Sequence, residues 1–197
     1  MTRFLGGRAA GAWGIAFAVL LLVSAAMASL PTAADSEAAI TAFYRAHSGI
    51  VVLQQVVGAL ALVPFVAFAL SLAPNRWLRP ALFLFVAVEL ITNIVPLVIV
   101  AAPGAAHPLT LVEDIADSAL FISVALFLVA ATLAEPVWLR ALAYVVAAAC
   151  VFRALVSPFG VTALDQAAPL AFLAFVLVFS IRLLFRPTSG VVVQPAR

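Results

Sequence analysis

The chain has 197 residues, of which 67% are hydrophobic and only 9% charged, and every basic residue is an arginine. Soluble domains carry about 25% charged residues, so this composition excludes a water-facing surface, and with it a soluble enzyme or a disordered chain. A net charge of +2 makes no basic stripe, which excludes nucleic acid as a partner and leaves the lipid bilayer as the surrounding medium.

Long apolar runs bounded by breakers predict six helices, near residues 10–30, 49–73, 80–102, 110–134, 137–157 and 164–186. The fold class read from them is all-α: a polytopic transmembrane bundle of six helices. It forms a single domain over residues 1–187, followed by a disordered cytoplasmic tail at 188–197. Pro31, Pro74, Pro103, Pro158 and Pro187 fall just after the runs; Pro80, Pro108 and Pro136 fall at or before starts, where a missing N–H costs little. Pro64 and Pro96 lie inside runs and predict kinks, and Pro169 predicts a first-turn position.

The first segment has two readings. Met1 to Arg8 is short and basic, and Ala26-Met27-Ala28 resembles a signal-peptidase site. The apolar run between them is long for a signal peptide, so a retained helix is expected. The connection at 31–48 is the longest and ends in Phe43-Tyr44-Arg45-Ala46-His47, which reads either as an interfacial helix or as an extension of the second crossing.

Arginines set the expected direction. Arg3, Arg8, Arg76, Arg79, Arg140, Arg182, Arg186 and Arg197 collect on one side in alternate connections; Arg45 and Arg153 fall toward the other. The positive-inside rule then puts both termini in the cytoplasm and the protein in the cytoplasmic (inner) membrane. Trp13, Trp77 and Trp138 fall at the same boundary. Trp77-Leu78-Arg79 recurs as Trp138-Leu139-Arg140, and Ala46-His47 as Ala106-His107, as a parallel duplication of two hairpins would arrange them; Asn93 then aligns with Arg153.

Within the runs, hydrocarbon does not explain a small set of polar residues. A charge at the bilayer centre costs about 2.5–3.5 kcal/mol, so each needs a partner. Glu89 lies about 15 Å into the third segment, near the midplane. Asn93 is one turn further on the same face. Asp117 in the fourth segment, Arg153 in the fifth, and Gln54 and Gln55 in the second all fall in the same half of the bilayer, while Asp114 lies near the surface, one turn from Asp117. Facing one another, they would line an outward-facing pocket with a protonatable Glu89 at its floor, Asn93 and the glutamines as orienting groups, and Arg153 with Asp117 as a charged gate. The competing reading is interhelical glue, since amides and paired charges hydrogen-bond across membrane helices. Thr110-Leu111-Val112-Glu113 and Thr162-Ala163-Leu164-Asp165 match capping boxes and assign Glu113 and Asp165 to helix starts.

No catalytic motif, metal motif or cofactor signature is visible. Cys150 is the lone cysteine, and His47 and His107 sit at connections rather than inside the runs. Gly7 and Gly11 have small-xxx-small spacing, which permits close helix packing within the chain or in a homo-oligomer. The expected function is a membrane protein that binds or transports a small molecule through the polar pocket. The alternative is a structural or accessory subunit, without catalytic activity, that docks on a partner membrane protein. Arginine without lysine, abundant alanine and six short-looped crossings resemble the uncharacterised integral membrane proteins of high-GC actinobacteria. That resemblance implies a bacterial cell membrane and transfers no activity and no site residue.

Overall fold

The computed structural model describes residues 7–157 and 164–186, all helix and connection with no strand among them. Arg3, Pro158, Thr162, Pro187, Arg197 and the tail at 188–197 lie outside the described residues. Six long helices are present: α1 (Gly7–Ala25), α2 (Glu37–Leu70), α3 (Leu78–Ala101), α4 (Ala106–Thr132), α5 (Val137–Val156) and α6 (Ala167–Phe185), with a short 3₁₀ turn at Pro103–Ala105 before α4. All six are long and apolar enough to cross a membrane, which fits a multi-pass membrane protein.

The helices form a closed ring. Each packs on its neighbours in the chain, α6 returns to α1, and α2 also touches α4 across the middle; the α5/α6 seam is the thinnest. One end of the ring, the terminal end, carries the start of α1 and the end of α6. The other carries the connections at 26–36 and 102–105, the end of α5 and the start of α6. The outer face is apolar, with Phe83 76% and Val145 68% exposed, as lipid contact requires. The interior at the terminal end is a block of phenylalanines from five helices. Phe65 meets Phe17 at 4.6 Å, Phe85 at 4.3 Å and Phe127 at 4.8 Å, and Phe172 closes on Phe17 at 6.0 Å. Offset and edge-on aromatic contacts of this kind add about 0.5–1.5 kcal/mol each to the burial itself.

Several boundaries differ from those the sequence predicts. α2 starts at Glu37 instead of 49, because Ser36 caps it: its side chain accepts the Ala39 N–H at 3.3 Å. The 31–48 segment is therefore largely a continuation of the second crossing. At 34 residues and about 1.5 Å per residue, α2 outreaches a hydrocarbon core of about 30 Å. Its backbone leaves helical geometry at His47 (φ −116°, ψ 17°) rather than at Pro64. There His47 Nδ1 lies 3.1 Å from the Phe43 carbonyl and its ring stacks on Phe43. α4 begins at Ala106, so Pro108 falls in its first turn and Thr110 is already inside the helix. The hydroxyl of Thr110 donates to the Ala106 carbonyl at 2.9 Å, so the capping box read at Thr110 and Glu113 does not form.

Close packing of α1 on α6 depends on two glycines. A Cβ on Gly11 would sit 2.5 Å from the Ser180 carbonyl oxygen and 2.6 Å from Leu184 Cγ, and one on Gly14 would overlap the Ser180 hydroxyl. Gly49 has nothing within 4 Å. Gly11→Ala is therefore expected to destabilise the purified protein by about 1–3 kcal/mol, the usual cost of overpacking. Gly49→Ala is expected to gain a few tenths of a kcal/mol up to about 1 from helix propensity. Thermal unfolding in detergent, followed by loss of the monodisperse peak, measures both; equal effects would remove the close-approach account of α1.

Candidate functional site: a blind polar cavity

Polar side chains from the interior converge above the phenylalanine block. They enclose a cavity of about 270 Å³ to which all six helices contribute: Ser24 from α1, Gln54 and Gln55 from α2, Glu89 and Asn93 from α3, Glu113 and Asp117 from α4, Arg153 from α5, and Phe172 from α6. Phe85 and Phe172 belong both to the cavity wall and to the aromatic block, so the cavity ends blindly toward the terminal end. The opposite end, the mouth end, is crossed by the 26–36 connection, which places Leu30 in the lining.

The α3 contribution follows from helix geometry. Glu89 and Asn93 are one turn apart and both buried. Asn93 Nδ2 donates to the Glu89 carbonyl at 2.7 Å and to Glu89 Oε1 at 3.2 Å, so the amide holds the carboxyl in place within its own helix. The Asn93 Oδ1 lies against Gly58 of α2, where an added Cβ would approach it to 2.5 Å. Glycine at 58 is what lets α2 and α3 meet at this level.

The charged side is organised around Arg153. Its Nη1 lies 2.7 Å from Asp117 Oδ2 and its Nε 3.3 Å from Asp165 Oδ1, while the guanidinium covers the Phe121 ring at 3.9 Å. Both are close ion-pair contacts, and the Phe121 ring takes one face of the same guanidinium. One guanidinium thus ties α4, α5 and the approach to α6 together, next to the thin α5/α6 seam. Asp165, which the sequence assigns to a helix start, serves as a counter-ion; the helix cap of α6 falls at Gln166.

The strap at the mouth is fastened by side chains below it. Gln54 Nε2 donates to the Ala28 carbonyl at 3.2 Å, and the Ser24 hydroxyl donates to the Gln54 carbonyl at 2.9 Å. Asp114 Oδ2 accepts the Ala33 N–H at 2.8 Å. Glu113 instead turns inward, lines the cavity and accepts the Tyr44 hydroxyl at 3.2 Å.

Of the seven residues singled out in the sequence, Glu89, Asn93, Asp117, Arg153, Gln54 and Gln55 line one cavity, and Asp114 lies outside the lining, holding the strap. Sequence reasoning missed Glu113, whose i, i+4 relation to Asp117 is the signal that could have found it. It also missed Ser24, Tyr44 and the phenylalanine floor, for which no local signal exists. A second buried charge was missed at the terminal end. Glu135, in the α4–α5 turn, meets Arg182 Nη2 at 3.2 Å and Arg186 Nη1 at 3.7 Å, which staples the other end of the α5/α6 seam. Among the described residues no group of three His, Cys, Asp or Glu side chains is placed to hold a metal ion.

Comparison with protein-family models, curated proteins and solved structures returns no match to this chain.

Removing one member of a buried ion pair strands the other, at about 3–5 kcal/mol. Asp117 and Asp165 are each about one-third exposed, with side-chain exposures of 39% and 33%, so solvent in the cavity lowers that figure. Arg153→Met is expected to cost on the order of 3 kcal/mol and to loosen the α5/α6 seam. Adding Asp117→Asn and Asp165→Asn to Arg153→Met is expected to recover part of the loss, because the stranded charges are removed with their partner. Thermal unfolding of the single and triple variants in detergent tests this; a triple variant less stable than the single one would refute it.

Proposed function

We propose that this protein binds a small molecule in the blind polar cavity, and that the cavity opens to the outer face of the bacterial cytoplasmic membrane. The observation that carries the reading is convergence: all six helices direct lining side chains at one space of about 270 Å³, just under the roughly 300–1,000 Å³ of drug-sized ligand pockets and so suited to a smaller molecule. Glue between helices needs no such space, because polar groups that only join helices pair off against one another. Gln54 Oε1 is buried without a partner, which is costly in a protein interior unless something else supplies a donor.

The outward direction rests on the arginines. Arg8, Arg76, Arg79, Arg140, Arg182 and Arg186 sit at or near the terminal end, and the positive-inside rule assigns that end, with both termini, to the cytoplasm. A cavity closed below by phenylalanine is a binding site or one state of a carrier, not an open pore.

The second reading is a structural or accessory subunit. It is favoured by the Glu89–Asn93 bond and by the bond from the Ser24 hydroxyl to the Gln54 backbone carbonyl, which satisfy the Asn93 and Ser24 side chains within the bundle.

Thiol labelling separates the two. On a Cys150→Ala background, a membrane-impermeant maleimide added to intact cells is expected to label Leu30→Cys rapidly and Gln55→Cys more slowly. It is expected to leave Phe65→Cys, inside the aromatic block, unlabelled. Arg76→Cys is expected to react only in inverted vesicles. A Gln55→Cys thiol unreactive from both sides would favour the accessory reading, and Leu30→Cys labelled only in inverted vesicles would reverse the orientation.

A further inference from the structure

The balance of donors, acceptors and charge within the cavity narrows what it holds. Four ionisable side chains line it: Glu89, Glu113, Asp117 and Arg153. The single cation, Arg153, already lies against Asp117 and Asp165. Glu89 and Glu113 make no ion pair among the described residues; their contacts are the neutral Asn93 amide and Tyr44 hydroxyl.

Independently of the acids, Gln54 presents an unmet acceptor. Its side chain is only 9% exposed as a residue and lines the cavity, with Oε1 unpartnered. The amide cannot be turned over to cure this, because exchanging O and N would set Oε1 against the Ala28 carbonyl that Nε2 now bonds. Away from Arg153, Gln54 Oε1 and the two carboxyls supply acceptors, beside the Gln55 amide, which carries both a donor and an acceptor.

These acceptors occupy two levels. Gly58 and Asn93 mark the level where α2 and α3 touch. The two helices run antiparallel, so Gln54 lies one turn above that level and Glu89 one turn below, about 12 Å apart along the axis before their side chains reach toward each other. Glu113 is one turn nearer the mouth than Asp117. Glu89 thus serves the floor, and Glu113 and Gln54 the mouth. Much of the remaining lining is hydrocarbon and aromatic, Leu21, Phe121, Phe172 and Leu173 among it.

We propose that the ligand is a small organic dication, a protonated aliphatic diamine, lying lengthwise with one ammonium on Glu89 and the other on Glu113 and Gln54 Oε1. This rests on the cavity being a binding site. Two buried carboxyls without counter-ions can each release a proton when an ammonium comes beside them, because an adjacent opposite charge favours the ionised form. The orphaned amide oxygen calls for an N–H donor, which a quaternary ammonium lacks, and the largely apolar remainder of the lining fits a methylene chain. Phe85, one turn below Glu89, adds a ring face near the inner ammonium. An anion would meet Arg153 only in the company of Asp117 and Asp165, and would face Glu89 and Glu113 unshielded.

The test is equilibrium binding of radiolabelled 1,5-diaminopentane to the full-length protein in detergent, with n-pentylamine, pentane-1,5-diol, glutarate and tetraethylammonium as competitors. Saturable binding is expected, with n-pentylamine at least about tenfold weaker because one charge-assisted contact is lost, and with the diol, the dianion and tetraethylammonium weaker still. Glu89→Gln and Glu113→Gln are each expected to lower affinity about tenfold, and Gln54→Leu about threefold or more. Gln54→Leu removes no charge, so it keeps the test open if either glutamate variant fails to fold. Diamine binding no tighter than pentylamine binding, or unchanged by Gln54→Leu and by whichever glutamate variant folds, overturns the proposal. Tighter direct binding of the diol or of glutarate, lost in Glu89→Gln, overturns the dication and leaves the binding cavity standing. No binding by any probe overturns the dication as well, and the cavity reading falls with it only if Gln55→Cys is also inaccessible to maleimide.

Discussion

A guanidinium at Arg153, within a helix apolar enough to cross a membrane, constrains much of what surrounds it. Its charge costs too much in hydrocarbon to stand alone, so two carboxylates must come to it, Asp117 from α4 and Asp165 from the approach to α6. Those contacts fix α5 against both neighbours where the α5/α6 packing is thin. They also keep polar atoms facing inward over that stretch of three helices. At the terminal end Glu135 does the complementary task with Arg182 and Arg186. The seam that apolar packing closes least is held by charge at both ends.

Above and below, the interior divides by chemistry. Near the mouth it is lined with carboxyls and amides; toward the terminal end it is filled by phenylalanine rings from five helices. Flat rings in offset contact fill the wide centre of a six-helix ring, which aliphatic side chains alone would leave with gaps. The filled half closes the centre of the bundle, and the unfilled half leaves a polar-lined cavity of about 270 Å³. Gly58 and Gly11 set the other dimension, since each lets two helices approach more closely than any side chain would allow.

Much of this was legible from the chain. Glu89, Asp117 and Arg153 stand out because nothing in hydrocarbon accounts for them, and Asn93 follows from its spacing to Glu89. These residues do line a common cavity. Glu113 was misread because Thr110 and Glu113 have the spacing of a capping box. That pattern matters only where a helix starts, and α4 starts one turn earlier, after the 3₁₀ turn at Pro103–Ala105. Asp114 was grouped with Asp117 by spacing, but its carboxylate is taken up by the Ala33 N–H of a connection remote in sequence. The extension of α2 to Glu37 is not fixed by the sequence, because a capped helix start and an interfacial segment share the same polar-then-aromatic composition.

The sequence by itself determined the solvent, the number of long apolar helices and which polar residues hydrocarbon cannot explain. These follow from transfer free energy and periodicity, which are properties of single segments. Only the tertiary structure decided that the helices close into a ring, that the phenylalanines meet in one plug, and that Asp165 rather than a third helix residue completes the Arg153 cluster. Those outcomes depend on rotation of each helix about its axis and on contacts between residues far apart in the chain. Helices this evenly apolar leave that rotation undetermined until neighbouring side chains interlock.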